Sequence, residues 1–381
     1  MSPIVIVGTG LAGYSTAREL RKHDKESPLV IVTGDDGQFY SKPMISNALA
    51  SNKTAETLPI NSAEQMAKQV NAQIRTRTCV TAIAPAEHRI AVGTQTIEYS
   101  QLVLALGADQ IRLPLAGDAA DAPMSVNDLV SYARFRTAIE GKRDVVILGA
   151  GLIGCEFAND LALSGYRVDL IDIAPQPLGR LLPAEGGAFV QRQLAAIGVK
   201  WHLGTSAQAV ERDGGRLRVR LANGEALHAD AVLSAIGLKP RTALSQAAGL
   251  AVNRGIVTDR QLRTSVPDIY ALGDCAEVEG LVLPFIMPIM HAARVCAANL
   301  AGKAAQLSYP AMPVIVKTPA CPTLVAPPAA GAAGEWRITA GDDGVKSLFV
   351  DAEGKLLGMV LQGAAMAERQ ALSAQLPPVL K

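Results

Sequence analysis

The same short pattern occurs twice in this chain. Residues 3–13 read PIVIVGTGLAG and residues 144–154 read DVVILGAGLIG. Each is a run of mostly β-branched residues entering GxGxxG, as a buried strand does when it turns into a helix. Helices are expected over Leu11–Lys22 and Leu152–Ser164, each followed by a second apolar strand, Leu29–Val32 and Val168–Ile171. Two βαβ units this far apart are not a solenoid repeat. They predict an α/β chain with two Rossmann-like dinucleotide-binding domains.

The rest of the chain fits around these units. Leu102–Ala108 and Ala231–Gly237 each read as a buried strand with a glycine turn. Ile269–Asp274 is a third such segment, followed by an apolar helix from about Pro288 to Ala301. From Tyr309 the character changes to prolines, short strands and the loop APPAAGAAG at 326–334, read as a small α+β domain.

Length and composition are consistent with this. A chain of 381 residues suggests two or three domains and can bury a large core without disulfides or metals. The net charge of +1 argues against a nucleic-acid or membrane partner. Cys79, Cys155, Cys275, Cys296 and Cys321 are scattered with no CxxC and no zinc-like cluster, so no metal site is expected and a reducing, cytoplasmic setting fits. The first residues carry no basic segment and no long apolar segment, so no signal peptide is expected, and no run of about 20 apolar residues suggests a membrane span.

In the first fingerprint, Gly8, Gly10 and Gly13 permit the tight turn, close approach to a pyrophosphate, and helix–strand packing. Thr9, Leu11 and Ala12 complete the cradle. An acid about 20 residues on should accept from a ribose. Asp35 lies 35 − 13 = 22 residues past the last glycine, with Asp36 in reserve. In the second, Gly149, Gly151 and Gly154 are followed by Asp172, 172 − 154 = 18 residues on, and Gly237 closes the unit. A carboxylate at Asp172 would accept from both ribose hydroxyls and repel a 2′-phosphate, which favours NADH. Arg180 nearby weakens that preference. The plainer alternative for Asp172 is a solvated acid at a strand end. Two dinucleotide sites in one chain suggest two cofactors that exchange a hydride.

With these motifs the chain resembles the two-dinucleotide-binding-domain flavoproteins: an N-terminal FAD fingerprint, an inserted NAD(P)H domain, a return at IYALGD, and a C-terminal domain. Within them it is most similar to bacterial NADH:rubredoxin reductases, through GTGLAGY, YSKP at 40–43, GAGLIGCEFANDL, AGLAVNRGI, IYALGDCAEV and VKTPACP at 316–322. The resemblance implies a discontinuous FAD domain of residues 1–108 and 239–308, an NAD domain of residues 109–238, and a C-terminal domain of residues 309–381. It implies FAD contacts by Lys42, Val80, Glu156, Asp274, Ile286 and Lys317. Asp274 would bind the ribitol, and Lys42 and Lys317 would be the cations nearest the flavin. Glu156, placed in the first turn of the NAD-domain helix, would meet both rings and act with Lys42 and Lys317 in catalysis. The implied activity is electron transfer from NADH through FAD to rubredoxin, a transient partner. A rubredoxin-like domain, a ferredoxin, or a redox-sensing role without turnover are the alternatives. A monomer is the favoured state.

Relatives that reduce disulfides need a cysteine pair beside the flavin, and oxidase and peroxidase relatives use a single cysteine near residues 41–46. Here that segment is SKPMIS, and Cys155 stands alone. Electrons should therefore leave the flavin directly for a one-electron acceptor. Arg18, Arg21, Lys22 and Lys25 make a basic stripe at helical spacing, read as a solvated face rather than a dock because it lies far from the pyrophosphate end. Replacing each cysteine by serine in turn should leave acceptor reduction largely intact. A loss on the order of 10²-fold at Cys155 with FAD retained would contradict this.

Overall fold

A computed structural model describes residues 2–381. The first fingerprint strand, Ile4–Val7, is the middle of a five-stranded parallel sheet ordered 269–271, 101–104, 4–7, 29–32, 73–75. Its four residues are all buried because both faces are covered, which is why the run is continuously apolar. Ile4, Ile6, Leu29 and Ile31 pack under the helices Leu11–His23 and Ile286–Leu300. Val5, Val7, Val30 and Val32 face a three-stranded antiparallel meander, 80–84, 89–92 and 95–98, through Ile83, Ile90 and Ile97.

The second fingerprint strand, Asp144–Leu148, repeats the scheme in a four-stranded parallel sheet ordered 199–203, 167–172, 144–148, 231–234. One face carries a second meander, 207–213, 216–221 and 226–229, through Val210, Val219 and Leu221. The other carries the helices Leu129–Ile139 and Leu152–Leu163. In both sheets the strand order reverses beside the fingerprint strand, which opens the crevice where such sheets bind ligands.

The C-terminal segment forms a five-stranded antiparallel sheet ordered 314–316, 323–326, 356–363, 344–350, 335–340, with a short helix at Arg369–Ser373. Val316, Val325, Val345 and Val360 share one core with Phe157 and Leu161 of the second fingerprint helix and with Ile45 and Ala48. No helix among the described residues is long and apolar enough to cross a membrane.

The basic stripe is corrected by the fold. The first helix ends at His23, so Lys25 lies beyond it. Arg18 stacks on Phe39 at 4.3 Å and donates to Gln69 Oε1 at 3.0 Å. Arg21 donates to the carbonyls of Val70, Asp24, Ser27 and Asn71. Two of the four cations therefore clamp neighbouring segments and do not form a solvated face.

The outer glycines of each fingerprint are required by packing. A Cβ on Gly13 would lie 1.9 Å from Gly8 O, and one on Gly154 would lie 1.8 Å from Gly149 O. Gly13→Ala and Gly154→Ala should each destabilise by about 3 kcal/mol or fail to accumulate as folded protein. Thermal unfolding of either variant at the wild-type midpoint would contradict this close approach.

Candidate functional site

The middle glycines behave differently. Gly10 caps the first helix at φ −68°, ψ −175°, and Gly151 caps the second at φ −75°, ψ −169°, backbone that any residue adopts. A Cβ at either position would meet nothing within 4 Å. Neither conformation nor packing requires glycine there, so what needs the room is a group from outside the chain. Neither helix has a side-chain cap or an acid in its first turn, which leaves amides and the positive helix end for a phosphate.

At the first site, Thr9 and Thr33 donate hydroxyl hydrogen bonds to Asp35 Oδ1 at 2.9 and 2.6 Å, and Gly37 N donates to it at 2.9 Å. All of these bonds fall on Oδ1, which leaves Oδ2 to accept from a ribose hydroxyl. Asp36 only receives Gln38 N at 3.2 Å. Val80 is partly buried and packs against the core that holds Val30 and Val32, and Thr78 N donates to Thr33 O, just past that strand, at 2.8 Å. Asp274 sits in the 3₁₀ turn Gly273–Cys275, where a Cβ on Gly273 would lie 2.8 Å from Ala12 Cβ. The IYALGD turn is thus pressed against the start of the fingerprint helix. Ile286 is the first residue of the helix Ile286–Leu300 and is 42 % exposed.

At the second site, Asp172 accepts from Ala150 N at 2.5 Å and from Ala174 N at 2.7 Å, one on each carboxylate oxygen. The acid is held rigidly against the fingerprint loop, and each oxygen keeps a lone pair for a ribose hydroxyl. Gly237 takes φ +120° past the strand Ala231–Ser234, and its carbonyl accepts from Ile111 N at 3.0 Å.

Glu156 joins the two sites. It lies in the second turn of Leu152–Leu163, not the first, so its position owes nothing to the helix end. It is 2 % exposed. Its Oε2 accepts from Ser46 Oγ at 2.6 Å and pairs with the Lys317 ammonium, and its Oε1 accepts from Lys317 N at 2.9 Å. Asn47 Nδ2 donates to Lys317 O at 2.8 Å. Lys317, expected beside the flavin, is thus ion-paired with Glu156.

Lys42 is the other cation. Its ammonium donates to Asn127 Oδ1 at 3.1 Å, and Asn127 Nδ2 donates in turn to Ala108 O at 3.0 Å. Desolvation holds Lys42 below the usual lysine range, partly offset by the Asp274 carboxylate. Desolvation raises Asp274, and Lys42 pulls it back down. Each group therefore lies within the field of the other, with no ion pair between them. Cys155, by contrast, is fully buried, donates to Ala150 O at 3.4 Å, and has its thiol pushed far up by burial. Burial also pushes Cys275 up to about 11.

Ser46, Asn47 and Asn127 were not anticipated. Asn127 precedes the helix cap Asp128 and reads as part of a capping box; Ser46 and Asn47 sit in a short 3₁₀ turn, Lys42–Asn47. No local signal marks any of the three, because their partners are between 19 and 270 residues away.

The two cradles, with room that only a Cβ would fill, an acid at each strand end and uncapped helix amides, fit two dinucleotides. Comparison with known proteins agrees. Residues 2–298 match the pyridine nucleotide-disulphide oxidoreductase model, and residues 306–376 match the rubredoxin binding C-terminal domain model. The chain is 49 % identical over 381 residues to the rubredoxin-NAD(+) reductase of Alcanivorax borkumensis, covering 100 % of both chains. It is 46 % identical over 388 residues to the protein of that name from Acinetobacter baylyi, covering 100 % of this chain and 99 % of that one. Among solved structures, a ferredoxin reductase from Rhodopseudomonas palustris superposes with a TM-score of 0.89 at 26 % identity, covering 99 % and 96 % of the two chains.

Because Gly10 and Gly151 are open in the protein itself, Gly10→Ala and Gly151→Ala should fold with near wild-type midpoints when free of cofactor. Gly10→Ala should lose bound FAD, read from the visible absorbance of the purified protein. Gly151→Ala should keep FAD and raise the KM for NADH by about tenfold or more. Full FAD content in Gly10→Ala would refute the assignment of that cradle.

Proposed function

This chain belongs to the pyridine nucleotide-disulphide oxidoreductase family, and from that premise we propose that it is an FAD-dependent reductase that carries electrons from NADH to rubredoxin. The observation that carries this reading is the rubredoxin binding module at the C-terminus, joined through Lys317 to the helix of the second fingerprint. That module also favours rubredoxin over a ferredoxin as the acceptor. Bound at the first site, FAD would supply the means to take one hydride, an electron pair, from NADH and to release the electrons singly.

The residues act around that chemistry. Gly8, Thr9, Gly10, Leu11, Ala12 and Gly13 hold the FAD pyrophosphate, Asp35 its adenosine ribose and Asp274 its ribitol, with Val80 and Ile286 in apolar contact. Gly149, Gly151, Gly154 and Gly237 shape the NADH site, and Asp172 selects NADH by accepting from both ribose hydroxyls. The Glu156–Lys317 pair orients the nicotinamide side against the flavin side. Lys42 supplies positive charge where negative charge gathers. The buried cysteines take no part, so electrons leave by the cofactor edge.

We read residues 1–108 with 239–308 as the FAD domain, because the strand 269–271 returns to the first sheet. Residues 109–238 form the NAD domain and 309–381 the C-terminal domain. A cytoplasmic monomer fits this role, since contact with a carrier that must leave after each electron is brief and small.

The test is anaerobic stopped-flow mixing of NADH-reduced protein with oxidised rubredoxin. Flavin reoxidation should be fast and should depend on rubredoxin concentration. Lys42→Met should slow it by about tenfold while leaving the Kd for NADH within about twofold. Reoxidation no faster with rubredoxin than with oxygen alone would remove rubredoxin as the acceptor and leave the flavoenzyme reading standing.

A further inference from the structure

The helix Leu152–Leu163 buries two carboxylates one turn apart, Glu156 and Asp160. Glu156 is accounted for above. Asp160 is 1 % exposed, and both of its oxygens accept from backbone amides: Oδ2 from Leu49 N at 3.0 Å and Oδ1 from Ala50 N at 2.9 Å. These amides follow directly on the Lys42–Asn47 turn. One helix therefore grips that turn through Ser46 and Glu156, and the residues just after it, 49–50, through Asp160. Asn159, between them, accepts from Ala320 N at 3.1 Å and so grips the C-terminal domain.

We propose that Asp160 is a positioning residue for hydride transfer, whose two hydrogen bonds set where the FAD-side Lys42–Asn47 turn stands against the NAD-side helix, and whose protonation releases that setting. The proposal rests on the FAD and NADH assignments above. The ionised carboxylate offers a strong acceptor to both amides. Once protonated, its hydroxyl oxygen is a weaker acceptor, and its own proton must find room among groups that all donate toward it. Hydride transfer is sensitive to such a shift, because the reacting atoms must approach to within about 3–3.5 Å.

The surroundings place this protonation within reach. Burial pushes Asp160 up to about 6, against the opposing pull of the Ala50 and Leu49 amides and the Arg136 guanidinium. Tyr132 and Arg136 face it from the helix Leu129–Ile139, and Glu156 precedes it on its own helix. Lys317 and Cys321 belong to the C-terminal segment gripped by the same helix. Because the carboxyl titrates above its ordinary value of 3.8, ionising it costs stability, and protonation returns that stability as pH falls. A loss of rate traced to Asp160 in acid is therefore not unfolding through this group.

The experiment measures anaerobic bleaching of the FAD-loaded protein by NADH alone, without rubredoxin, across the range in which this carboxyl titrates. The wild-type rate should fall as pH drops through about 6. Asp160→Asn should keep FAD, run about tenfold slower at neutral pH, and lack that acid limb. Arg136→Gln, which removes the cation opposing the upward shift, should move the limb to higher pH with a near wild-type rate above it. Should Asp160→Asn fail to retain FAD, the Arg136→Gln profile decides. A wild type without the limb, an identical limb in Asp160→Asn, or an unmoved limb in Arg136→Gln overturns the proposal. A wild-type flavin that NADH cannot bleach overturns the cofactor reading itself, and the proposal with it.

Discussion

A carboxylate that is 2 % exposed must be neutralised by the groups around it, and Glu156 draws its partners from two distant parts of the chain. Ser46 comes from the Lys42–Asn47 turn and the amide and ammonium of Lys317 from the C-terminal domain, while Glu156 itself stands on the helix Leu152–Leu163. Removing one partner of such a pair costs about 3–5 kcal/mol, because the remaining charge is left buried alone. Three units that could each fold around their own sheets are thereby fixed in one arrangement. The apolar packing beneath them, Phe157 and Leu161 against Ile45, Val316 and Val325, supplies cohesion without direction. The hydrogen bonds of Glu156 supply the direction.

That arrangement explains how two similar cradles become one reaction path. Each fingerprint alone makes a place for a pyrophosphate at a helix end. Bringing the two together requires the helix of one to meet a segment of the other, and Glu156 and Asp160 are the contacts through which it does. Lys42, at the start of the gripped turn, stands in the field of Asp274.

Much of this was legible from the chain alone. The two fingerprints, their helices and the strands that follow lie within a residue or two of their expected limits, because strand, turn and helix signals are local. The roles of the glycines were also legible: Gly8 takes φ +115° and Gly13 touches backbone. Counting along a βαβ unit of nearly fixed geometry put Asp35 and Asp172 at or just past the end of each unit's second strand, where the structure has them. Lys25 and Glu156 were misplaced because both errors concern where a helix turn begins or ends, which composition marks poorly.

The sequence by itself determined two dinucleotide cradles, a different C-terminal domain, and the lack of any cysteine pair suited to relay electrons. Only the tertiary structure decided that Lys317 pairs with Glu156, that Ser46 and Asn47 share the junction, that Asn127 holds Lys42, and that Asp160 caps the turn after it. The physical reason is separation: these partners lie between 85 and 270 residues apart, so no pattern along the chain records their meeting. Each is a polar group that became buried when apolar faces closed over it, and its partner is whichever group that closure brought within hydrogen-bond reach.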